Sequence, residues 1–331
     1  MLETTAEPIA ETIELGFRSS PQQRRVWRLQ TDGMTSCASL CALRIEGDLD
    51  RRALRQALAE TVERHEILRT AFRLPAGMTA PLQVILSPGP LHLPEVDVRG
   101  LSPDGLSAAD LLGALGRSPF DLERGVGWRA ALVWIGPGEH ELLLALSAAC
   151  ADAGAFEPLI AELLAAYARQ RGEGGGGSEP PLQYADVAEW QNSLLEGADT
   201  AEGVETWREH WRAHGLDAQL ALPLPLEERQ AARGPFAPRE ELQLLDRGTA
   251  AALAALAAAW GYPLQVLILT AWIAVLQRGT GRDETLVGVL YPGRDHEELR
   301  GVVGPLARYL PLMARLSPTV PLREAVDRVH Q

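Results

Sequence analysis

Cysteine, aromatic residues and positive charge are all scarce in this chain. It has three cysteines, Cys37, Cys41 and Cys150. Cys37 and Cys41 fall in a stretch that reads as strand, where side chains four apart share a face but are too far apart to bridge. An odd count without a disulfide framework points to a reducing, cytoplasmic compartment. No Cys/His spacing resembles a zinc site, so no metal is expected. Aromatics make up only 5% of the chain, and its scattered tryptophans read as packing residues rather than a base-stacking platform. The formal net charge is -13. A field of that sign repels phosphate backbones and anionic lipid, which excludes nucleic acid and the membrane surface as expected partners. The most apolar run, 264–276, is interrupted by Gln265 and Thr270 and is too short to span a bilayer. The first residues are acidic and lack the apolar stretch of a signal peptide.

What is present is ordinary globular material. The 331 residues are 46% hydrophobic and 23% charged, enough for two lobes. Pro21 behind Ser20 opens a helix. Residues 37–45 form a strand candidate. Residues 49–66 form an amphipathic helix, with Asp50 as cap and Leu54, Leu58, Val62 and His65 near helical spacing. Two strands are expected at 70–74 and 82–86, then a short helix at 108–116. A hairpin at 128–135 and 141–146 closes through Gly136-Pro137-Gly138. A helix carries Leu159, Ile160, Leu163, Leu164 and Tyr167 on one face. Gly174–Gly177 and the residues around them read as a linker over 172–181. This divides a first lobe, 1–171, from a second, 182–331. The second half offers helices bearing Trp190, Trp207 and Trp211, a proline-spaced stretch at 222–225, and a strand near 240–245. Helices at 249–260 and 264–277 follow, with Gly261 as the stop between them. Strands at 286–290 and 310–316 complete it. Strands and helices mixed through both halves indicate an α/β or α+β fold.

Short segments carry more. Ser20-Pro21-Gln22-Gln23-Arg24-Arg25-Val26-Trp27 resembles the opening motif of the condensation domains of nonribosomal peptide synthetases. Arg64-His65-Glu66-Ile67-Leu68-Arg69-Thr70-Ala71-Phe72 is similar to their second motif. Pro119-Phe120-Asp121-Leu122, Tyr184-Ala185-Asp186-Val187-Ala188-Glu189-Trp190, Thr280-Gly281-Arg282-Asp283, Gly293-Arg294 and Val303-Gly304-Pro305-Leu306 resemble further landmarks, in the family's order. The resemblance implies a two-lobed chloramphenicol-acetyltransferase-like fold. Substrates tethered to the phosphopantetheine arms of carrier domains would enter a tunnel between the lobes. No cofactor would be bound directly.

The family's third motif, His-His-x-x-x-Asp-Gly, is where this sequence departs. Alignment through Asp152 sets Ser147 and Ala148 on the two histidines and Ala153 on the glycine. The second histidine is the one to which the family's chemistry is assigned, and alanine has no titratable or hydrogen-bonding side-chain atom. His140 lies at the far end of the preceding strand, about 20 Å away at strand rise. His65 and His296 are remote in sequence. Cys150 reads as a small buried residue rather than a reactive thiol. Ser147 has no evident base. The resemblance implies that Asp152 pairs with Arg294 across the lobe interface, while the simpler local reading is a helix cap. Arg64, His65 and Arg69 read as scaffold around a helix end. Arg208, His210, Arg212 and His214 read as a solvated helix face.

Two more departures bear on function. After Val303-Gly304 the chain reads Pro-Leu-Ala-Arg-Tyr-Leu, which would set Arg308 and Tyr309 near the tunnel floor. The chain also ends before the family's last motif, so the second lobe is expected to be truncated, with an exposed sheet edge or apolar patch. One expectation is a non-catalytic module that contacts carrier domains, an adjacent adenylation domain, or a tailoring enzyme acting in trans. Family members that recruit oxygenases resemble it in this respect. A second is an active acyltransferase that forms an amide bond by positioning alone. A third is a stand-alone acyltransferase acting on coenzyme A or a small alcohol.

Overall fold

A computed structural model describes residues 16–33, 37–99, 105–174, 179–213, 243–317 and 319–331. The stretch 222–225 lies outside these residues. So does half of the span expected as a strand near 240–245, and its described part is irregular chain leading into a helix. By their contacts, the residues group into two compact units: 1–197 with 292–307, and 198–291 with 308–331.

The first unit runs β1 (Phe17–Arg18), α1 (Pro21–Thr31), β2 (Ala38–Glu46), α2 (Arg51–Arg64), β3 (Thr70–Arg73), β4 (Leu82–Ile85), β5 (Glu95–Asp97), α3 (Ala108–Arg117), β6 (Trp128–Gly136), β7 (Glu139–Ser147), α4 (Phe156–Gln170) and α5 (Tyr184–Glu196). Its main sheet has the order β2-β7-β6-β5. β7 pairs antiparallel with both β2 and β6, while the short β5 runs parallel to β6. A smaller antiparallel sheet has the order β1-β4-β3. The β6–β7 hairpin turns where Gly138 takes φ +68°, a conformation open to glycine.

Periodicity explains the core. Along β7, Leu142, Leu144 and Leu146 face one cluster with Leu54 and Leu58 of α2 and Leu159 and Leu163 of α4. The alternate residue Leu143 faces a second cluster with α3. Each fully buried leucine contributes about 1.5–3 kcal/mol relative to exposure, so β7 is fixed from both faces. α2 starts where Asp50 accepts the N–H of Ala53 at 2.9 Å.

The second unit contains α6 (Ala198–Ala213), α7 (Arg247–Trp260), α8 (Leu264–Thr280), β8 (Glu284–Tyr291), β9 (Arg308–Arg315) and α10 (Leu322–His330). β8 and β9 form an antiparallel pair. Gly261, at φ +82°, ends α7, as its place between two apolar runs implies. Ile268, Trp272 and Val275 on α8 and Leu290, Tyr309 and Leu310 on the strands are exposed. The short helix α9 (Glu297–Arg300) lies between β8 and β9 in sequence and belongs to the first unit. No single described helix is long and apolar enough to cross a membrane; α7 and α8 pass that test only as a pair bent by 105°.

Candidate functional site

The loop that follows β7 is held by its backbone. Ser147 N–H donates to Gly127 O at 2.8 Å, and Ala148 N–H donates to Cys37 O at 2.8 Å. Cys150 and Ala151 donate back to Ser147 O at 2.7 and 3.0 Å, closing a tight turn. Gln23 Nε2 donates to Ala149 O at 3.3 Å and to Gln83 Oε1 at 2.8 Å, and Ser39 Oγ donates to Ala151 O at 3.0 Å. None of these bonds uses the side chain of residue 148. The bonds that hold the loop therefore do not depend on that side chain.

Asp152 is the charged anchor. Its Oδ1 accepts the N–H of Ala155 at 2.9 Å, which is the local cap. Its Oδ2 accepts from Leu306 N at 2.8 Å, Ala307 N at 2.6 Å and Arg294 at 2.9 Å. A second guanidinium nitrogen of Arg294 lies 2.8 Å from Oδ1, and both side chains are 12% exposed. The cap and the ion pair thus coexist, and both residues belong to the first unit. Arg294 also donates to Gly304 O at 3.0 Å. A Cβ on Gly154 would stand 2.7 Å from an Arg294 nitrogen. That glycine, one position beyond Ala153, makes room for the guanidinium.

A neutral network adjoins the ion pair. Tyr184 is buried, and its hydroxyl lies 2.8 Å from Ser20 Oγ and 2.9 Å from Pro305 O. A carbonyl only accepts, so Tyr184 donates to Pro305 and accepts from Ser20. Ser20 Oγ in turn accepts the N–H of Gln23 at 3.2 Å, capping α1. Burial raises the Tyr184 phenol above its ordinary range. A Cβ on Gly304 would come within 1.9 Å of the Tyr184 ring, so glycine there is obligatory while tyrosine stays. Asp152 and Tyr184 together fasten residues 304–307.

Ser147 is fully buried, and its Oγ accepts Ala149 N–H at 3.2 Å. Cys150 is fully buried, and burial pushes its thiol up to about 12. The β2–β7 register, carried one residue past Ala38 and Ser147, sets Cys37 across from Ala148. Desolvation raises the Cys37 thiol too, which weakens it as a nucleophile. His140 packs edge-on against Trp134 at the other end of β7. His296 is exposed at the start of α9. Lysine is absent, because all 31 basic residues are arginine. Arginine does not release a proton in proteins, so no basic side chain other than histidine is available as a base. Among the described residues, no cluster of His, Cys, Asp or Glu is arranged to hold a metal ion.

Arg64, His65 and Arg69 serve the end of α2. Arg64 pairs with Glu162 at 3.0 Å and donates to Glu179 O at 2.7 Å. Arg69 donates to Leu86 O at 2.6 Å. His65 is 2% exposed, and desolvation lowers its pKa to about 4, so it stays neutral. In the second unit, Arg308 lies over the Tyr291 ring at 5.2 Å, and Tyr309 stands exposed opposite Leu290.

The model of the family described as "Condensation domain" matches residues 17–331. The chain belongs to the condensation-domain family. Chondramide synthase cmdD of Chondromyces crocatus is 34% identical over 94% of this chain, which spans 8% of that protein's length. The X-domain in its complex with OxyB from teicoplanin biosynthesis is 28% identical, with a TM-score of 0.75 over 99% of this chain and 70% of that one. The first condensation domain of the calcium-dependent antibiotic synthetase shares the fold, with a TM-score of 0.81 at 21% identity over 96% of this chain and 72% of that one.

Proposed function

We propose that this condensation domain is part of a nonribosomal peptide synthetase and serves there as a non-catalytic interaction module. The observation that carries this reading is Ala148. It stands where the family's motif has its second histidine, in a loop whose backbone bonds and Asp152 anchor are complete. In the family, the second histidine is the group assigned to take or direct the proton of the attacking amine. Ala148 supplies no such group, Cys150 is held as a buried thiol, and His65, the most deeply enclosed histidine among the described residues, is tied to the end of α2.

The partners of such a module would be carrier domains bearing phosphopantetheine-tethered substrates, an adenylation domain, or a tailoring enzyme acting in trans. The X-domain in complex with OxyB is a relative of this fold bound to another protein, which supports reading this domain as a docking surface. The test is reconstitution with donor- and acceptor-loaded carrier domains. No condensed product within hours is the expected result. Product formation at the rate of an ordinary synthetase would establish catalysis by positioning instead.

A further inference from the structure

We draw no further inference here: the strongest candidate, the exposed apolar stripe of Ile268, Trp272 and Val275 along α8 in the second unit, is an unpartnered helix face, and nothing in the structure shows what covers it.

Discussion

Replacing Asp152 by asparagine tests the anchor of the loop with the smallest possible change of shape. The carboxylate oxygens face only donors: Ala155 N–H and a guanidinium nitrogen on one side, Leu306 N–H, Ala307 N–H and Arg294 on the other. An amide has one oxygen, so either rotamer turns an NH2 group toward two or more donors. Arg294 is 12% exposed, and it loses the carboxylate it pairs with. Removing one partner of a buried ion pair costs about 3–5 kcal/mol, because the other charge stays uncompensated. Equilibrium urea unfolding followed by circular dichroism reads this cost. The double variant Asp152→Ala/Arg294→Ala should lose less than the sum of the two single variants, since it leaves no orphaned charge. An Asp152→Asn cost below about 1 kcal/mol, the net value of one ordinary hydrogen bond, would refute the role given to this carboxylate.

Further outcomes follow from other residues. His65 has a folded pKa lowered to about 4 by burial, so between that pH and its ordinary 6.5 the unfolded chain binds the extra proton. Stability should therefore be complete above pH 6.5 and fall on acidification, by about 3 kcal/mol at pH 4. His65→Leu should flatten that part of the stability–pH profile, and an unchanged profile would contradict it. Gly304→Ala drives a Cβ into the Tyr184 ring and should yield an unstable protein. Tyr184→Phe, which loses only the hydroxyl bonds to Ser20 and Pro305, should fold with a cost of about 1–3 kcal/mol by thermal denaturation. Iodoacetamide at neutral pH should leave Cys150 unmodified in the native protein, since its thiol is buried with a pKa of about 12. Peptide mass spectrometry that found Cys150 alkylated as fast as in urea would overturn that placement.

Local signals carried much of the fold. Asp50 and the spacing of Leu54 and Leu58 specify α2 without help from elsewhere. Gly136-Pro137-Gly138 between two apolar runs specifies the β6–β7 hairpin. The parallel pairing of β5 with β6, and the placement of β2 beside β7, had no such signal, because partners distant in sequence leave no periodicity. The approach of Arg294 to Asp152 had a motif behind it. Its location within the first unit did not, since nothing in the local pattern says that residues 292–307 group away from the strands on either side. The Ser20–Tyr184–Pro305 network joins residues 164 and 121 positions apart, and serine, tyrosine and proline at those spacings are individually unremarkable. Gly154 and Gly304 were equally silent. Their necessity comes from the bulk of Arg294 and Tyr184, which only the folded chain brings against them.

Ala148→Trp in the full-length protein tests the central claim most directly. Residue 148 is half-buried, and its backbone N–H is bonded to Cys37 O independently of the side chain. An indole there would obstruct any chemistry performed beside the loop while leaving the anchor at Asp152 in place. With product followed by mass spectrometry on loaded carrier domains, the account predicts no condensed product from either the parent protein or the variant. Condensation by the parent that disappears in Ala148→Trp, with the fold intact by circular dichroism, would contradict it.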